Sequence, residues 1–123
     1  MNIREKVFAA LMASTTLTDS LAKNSKSQCI FHCRNPAAKN YPILVYSIID
    51  DVPAVIADGV ELVRRVTFKI SILTTDAVFE PMYGEIVKVM LNLGFMRVQT
   101  VEESKDKLFV KSVNFRIDVD MED

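Results

Sequence analysis

The stretch "YPILVYSIIDD", residues 41–51, decides how the rest of the chain is read. Eight of its eleven positions are apolar or aromatic, and it closes on two carboxylates. On an extended backbone Ile43, Val45, Ser47 and Ile49 share one face, and Leu44, Tyr46 and Ile48 share the other. Both faces are mostly apolar, which predicts a strand covered on two sides. Asp50 and Asp51 pose the functional question: they are either the working acids of a small enzyme or the rim of a surface that binds something.

Working outward, "DDVPAVIADG" (50–59) carries Pro53 and Gly59 and reads as a loop. In "ELVRRVTFKISILTT" (61–75), Val66, Phe68, Ile70 and Ile72 alternate with Arg65, Thr67, Lys69 and Ser71, so a strand with one buried face is expected. Upstream, Ile3, Val7, Ala10, Leu11, Leu17 and Leu21 fall on one side of a helix over 3–22, which "STT" (14–16) divides into a long and a short piece. "KNSKS" (23–27) is a polar turn and "QCIFHCR" (28–34) a strand. The two prolines of "NPAAKNYP" (35–42) keep that segment extended or looped.

Downstream, a second helix lies between Asp76 and Leu93. Asp76 or Glu80 caps it, Pro81 stands in its first turn and Gly94 follows its end. Met82, Ile86, Val89, Met90 and Leu93 form its buried stripe. "FMRVQTVEE" (95–103) and "KLFVKSVNFRIDVD" (107–120) make a hairpin across "SKD". On its second strand Phe109, Lys111, Val113, Phe115, Ile117 and Val119 share a face, and Lys111 is placed toward the exposed end. The expected order is α-β-β-β-α-β-β, an α+β domain spanning residues 1–123, with two helices on a largely antiparallel sheet.

Bulk composition agrees with a single core: the chain has 123 residues, half of them hydrophobic. Nothing approaches the ~18 apolar residues that a membrane-spanning helix needs, and the run at 7–13 is too short for a secretory leader. The net charge of −1 gives no reason to expect nucleic acid. Its distribution is uneven. Residues 1–40 hold six Lys/Arg against two acids, a net of +4, and residues 41–123 hold nine against fourteen, a net of −5.

Catalytic chemistry finds little to work with. The one histidine, His32, lies between Phe31 and Cys33, and an enzyme would need it to converge with Asp50 or Asp51. Cys29 and Cys33 on one strand would sit ~13 Å apart, too far for a disulfide, and are expected as buried thiols. With His32 on the opposite face, no metal site closes. The three glycines stand apart, so no phosphate loop is present, and no cofactor is expected.

The order and spacing of these segments resemble the tail-completion proteins of long-tailed bacteriophages and prophages, also called tail-to-head joining or tail terminator proteins. The likeness covers about Val7 to Val119. It rests on "FAALMASTTLTDSLA", "IFHCRNPAAKNYPILVYSIID", "VTFKISILTTD", "LNLGFMR" and "VNFRIDV", with Leu11, Leu17 and Leu21 in the opening helix. Ile30, Phe31 and Pro36 match the short strand and its link, and Tyr41, Pro42, Val45 and Tyr46 the strand after it. Gly94, Phe95 and Arg97 match the helix end. The lack of tryptophan and the long 50–59 segment depart from the pattern.

The resemblance implies a non-enzymatic structural protein that forms a ring, usually a hexamer, at the head-proximal end of the tail tube. There it stops tube growth and meets the head connector. Its expected places are the virion tail and, during assembly, the host cytoplasm; its expected partners are itself, the tail tube protein and the connector. Closed rings use two different complementary patches. Lys23 and Lys26 on the basic side, with Asp50, Asp51 and Asp58 on the acidic side, are the expected contact residues. Asp118, Asp120, Glu122 and Asp123 are expected to face the channel, where negative charge repels passing DNA. Either outer strand, that of Cys29 or that of Arg97, is a candidate edge for strand addition by a neighbour. Two other readings stay open: a generic binding module that forms a small homo-oligomer, and a small enzyme.

Overall fold

The computed structural model describes residues 2–33 and 40–120. Two long antiparallel strands dominate it: β2 (Ile43–Ala57) and β3 (Val60–Thr74). Around them lie β1 (Ile30–His32), β4 (Met96–Lys105) and β5 (Leu108–Asp120) in one sheet of order β1-β2-β3-β5-β4. β1 runs parallel to β2 and every other pair is antiparallel. Three helices, α1 (Ile3–Ala13), α2 (Thr15–Ser20) and α3 (Met82–Asn92), complete an α+β fold. The expected single break in the first helix accounts for the third.

Local chemistry places those helices. The Asn2 side chain accepts the Glu5 amide at 2.9 Å and opens α1. Ser14 ends α1 and caps α2: its hydroxyl oxygen accepts the Leu17 amide at 3.2 Å and its O–H donates to Glu85 of α3 at 2.8 Å. One serine thus sets the kink and ties the N-terminal helices to α3. The Glu80 side chain accepts the Gly84 amide at 3.3 Å, and Pro81 precedes the helix instead of standing in its first turn. At the other end Gly94 takes φ +97°. There the Phe95 amide donates to Met90 and the Gly94 amide to Leu91, both at 3.0 Å, a Schellman closure.

All three helices cover one face of the sheet. Val66, Phe68, Ile70 and Ile72 of β3, with Val113 and Phe115 of β5, are fully buried against Val7, Leu11, Leu17, Ile86 and Met90. Phe68 meets Phe95 edge-to-face at 5.5 Å. Each such side chain contributes about 1.5–3 kcal/mol by leaving water. Among the described residues the opposite face has a small cluster at one end, Phe31, Ile43 and Leu73, with Tyr41, Val45, Leu108 and Val110 around it. Beyond that cluster no other described element covers this face, and near its centre Ser71 and Ser112 bond each other at 2.8 Å.

Four expectations need correction. The segment 50–59 is not a loop: β2 continues to Ala57, and Asp58 and Gly59, at φ 52° and 74°, form the two-residue turn into β3. Asp-Gly between apolar runs is a strong hairpin signal, and Pro53 is accommodated beside irregularities at 48–50 and 53–56. The two-sided burial of 43–51 holds only as far as Tyr46; Ile48 and Ile49 are exposed. The last hairpin turns at Asp106 and Lys107, both with positive φ, one step later than "SKD". Lys111 is not at an exposed end: its ammonium lies 4.0 Å from the Tyr83 ring centroid and 3.4 Å from Glu102. A cation–π contact and an ion pair let it share the apolar face.

Candidate protein-binding surface

Past the reach of the helices, β2 and β3 continue as a hairpin arm. Among the described residues β5 accompanies β3 as far as Val63, which pairs with Asp120 on one side and Val55 on the other, so residues 56–62 project as two strands. The sequence makes this arm apolar on the outside. Ile49, Val52, Val55, Ile56, Val60 and Leu62 are all exposed, Ile56 at 61% and Val60 at 57%. By the register Val52, Val55 and Ile56 lie on one face and Val60 and Leu62 on the other, so apolar side chains are exposed on both faces of the hairpin, as on surfaces that contact other proteins. Among the described residues the outer edge of β2 beyond Tyr46 has no neighbouring strand, since β1 pairs with Leu44 to Tyr46. β4 forms the other edge, with Met96, Val98 and Val101 exposed. Both strands named as candidate edges are therefore edges.

The acidic residues expected at the contact lie on β2 before the arm and in its turn. Asp50 and Asp51 lie opposite Thr67 and Val66 and so point to different faces. Asp51 is 3.7 Å from Arg64. Asp118 is held more tightly: it accepts from Arg65 Nε at 2.9 Å and Nη2 at 3.3 Å, and this bond lowers its carboxyl pKa and raises that of Arg65. A carboxylate engaged in this way is less available to line a channel. Asp58 sits in the turn and Asp120 at the end of β5, both exposed. Glu122 and Asp123 lie outside the described residues, as does Pro36.

At the opposite end of β2 a second surface opens between α1 and β1. It is a cleft of about 400 Å³ lined by Phe8, Met12, Lys26, Phe31, His32 and Tyr46, among others. Phe8 and Met12 are exposed at its mouth, and the rings of Phe8 and His32 lie 6.0 and 5.1 Å from that of Tyr46. Positive charge surrounds it. Arg4 acts on both His32 and Tyr46, and Lys23 on Cys29. Burial first, then Arg4, pushes the His32 pKa down; burial pushes those of Cys29 and Tyr46 up. Lys23 and Lys26, both exposed, thus stand at the end of the sheet away from the acidic arm.

The thiols differ from expectation. Cys29 is buried, but Cys33 is exposed, because β1 stops at His32 and Cys33 takes φ 64°. That turn brings Cys33 Sγ to 3.0 Å from His32 Nε2, although alternation placed them on opposite faces. His32 and the two aspartates do not converge: His32 lies beside Tyr46, and Asp50 is four residues further along β2, ~13 Å away at strand spacing. Among the described residues no three His, Cys, Asp or Glu side chains group as a metal site, and no helix is long and apolar enough to cross a membrane.

Sequence reasoning missed the arm as a site. The signal was present in "VIADGV" (55–60), where apolar residues flank Asp-Gly, but Pro53 was read as a break. The chain matches no protein-family model and no curated protein sequence.

Proposed function

We propose that this protein is a structural component of phage tail assembly, forming a ring at the head-proximal end of the tail tube, where it terminates the tube and joins tail to head. The observation that carries the reading is the apolar hairpin arm. It projects from a well-packed body and gives an isolated chain nothing to bury, so its side chains serve contact with other subunits. Two further features support it. The arm and the cleft lie at opposite ends of β2 with opposite charge, which suits a head-to-tail interface that closes into a ring. Two open sheet edges offer main-chain groups to the tube or the connector. The folded chain keeps the β-β-β-α-β-β part of the expected order and differs in its opening, where two α-helices and a 3-10 turn stand in place of one helix.

The test is to delete the gene from its phage or prophage, induce, and image the lysate by electron microscopy. Filled heads beside unattached tails, some abnormally long, are the expected result. Normal particles would refute the proposal.

A further inference from the structure

We infer that the hairpin tip of one copy, residues 54–62, docks into the α1/β1 cleft of the next. This deepens the ring reading above by naming both halves of the interface, and it rests on four observations of the chain itself.

The first is chemical fit. The tip presents Val55, Ile56, Val60 and Leu62 as exposed apolar groups around Asp58 and Glu61, with no basic residue between 54 and 62. The cleft presents Phe8 and Met12 at its mouth above the buried Phe31 and Tyr46, in an otherwise largely polar lining, with Lys26 on its wall and Arg4 and Lys23 close by. Glu5 of α1 accepts from the Asn2 side chain at the helix start and does not line the cleft.

The second is reach. Tyr46 lines the cleft and Asp58 turns the hairpin twelve residues further along the same strand, ~40 Å at strand spacing. A tip cannot fold back into its own cleft, so the contact is between copies. Two unlike patches on one chain make that contact heterologous, the class that closes into rings or grows into filaments.

The third is a competing groove. A hollow of about 310 Å³ on the open face is lined by Ile49, Lys69, Gln99, Val101, Glu103, Ser112 and Asn114. Its Lys69 is balanced by Glu103, so it offers the acidic tip no net attraction.

The fourth is exposure at both ends. Phe8 and Met12 at the cleft mouth and Ile56 and Val60 at the tip face solvent, and a tip seated in the cleft covers all four together. Aromatic and methionine side chains at a concave site are the usual anchors of such contacts.

The experiment uses two variants of the full chain. One blocks the cleft, Phe8→Glu with Met12→Glu; the other blocks the tip, Ile56→Lys with Val60→Lys. All four positions are exposed, and circular dichroism checks that each variant keeps the wild-type spectrum and melting point. Mass is then followed by analytical ultracentrifugation across the accessible concentration range. Wild type should self-associate and each variant alone should be monomeric. An equimolar mixture should form a one-to-one dimer and stop there, because only one intact tip and one intact cleft remain.

A wild type that stays monomeric throughout, variants that assemble like wild type, or a mixture that stays monomeric would each overturn the docking. The two proposals fail separately. Free heads and tails after gene deletion with a monomeric mixture would leave the tail role standing without this interface. A one-to-one dimer with normal particles after deletion would leave the interface and remove the tail role.

Discussion

The two halves of β2 are written in nearly the same residue types and end in opposite environments. Ile43 and Leu44 are completely buried, whereas Val52, Val55 and Ile56, about one strand-length later, stand in solvent. Hydropathy does not separate them. What separates them is cover: α1 and α2 lie over the first half, the Phe31–Leu73 cluster closes its other face, and neither extends past Tyr46. The first half holds the fold together and the second reaches away from it. The difference teaches that an apolar strand is a core strand only as far as other elements follow it.

Substitutions can break this comparison from the core outward. Phe68→Ala removes a fully buried ring and its edge-to-face partner contact with Phe95. It should cost about 3–5 kcal/mol in a urea titration; a loss below 1 kcal/mol would mean the helices do not seal the sheet. On the open face, Ser71→Ala leaves the Ser112 hydroxyl without its 2.8 Å partner at a nearly buried site. About 1–2 kcal/mol should be lost, and the Ser71→Ala, Ser112→Ala double variant should lose less than the two single losses added. Full additivity would show that the two hydroxyls do not act as a pair.

Gly94→Ala probes the close of α3. A Cβ there would meet only Ile117 Cδ1 at 3.6 Å, an ordinary contact, so the cost comes from the φ of +97°. It should be about 1–2 kcal/mol in the same titration, and no cost would contradict the Schellman geometry.

A smaller effect is expected at the cleft. His32 has its pKa held below the usual 6.5 by burial and then by Arg4, so the folded chain disfavours the protonated ring. Below about pH 6.5 the unfolded chain takes up that proton first, and stability falls with pH until the folded pKa is passed. His32→Gln should flatten that part of the curve. Asp118, lowered by its bond to Arg65, adds a loss in the same direction but at more acidic pH. A His32→Gln curve identical to wild type between pH 7 and 5 would rule out the assignment.

Much of the body was legible in the sequence. The period-two alternation of 65–72 identified the buried face of β3 because both its faces have a clear character, and the helical spacing of Val7, Leu11, Leu17, Met82, Ile86 and Met90 identified the stripes that cover it. The break at 14–16 was legible because serine and threonine are modest helix formers with local bonding alternatives. The arm was not, because a proline inside a strand and the Asp-Gly turn gave opposite signals, and the exposed hairpin edge where Pro53 is tolerated is a matter of tertiary position. Lys111 was misplaced for a similar reason: its aromatic partner, Tyr83, comes from α3. Cys33 was misplaced because a single positive φ ends the alternation from which its face was inferred.

The same contrast defines the central claim, that the arm serves contact and contributes little to folding. Ile56→Lys with Val60→Lys, introduced into the phage gene, tests it most directly. The purified variant should unfold within about 0.5 kcal/mol of wild type, as exposed substitutions do, while the lysate shows filled heads and unjoined tails. Normal particles with a fully stable protein would contradict the claim.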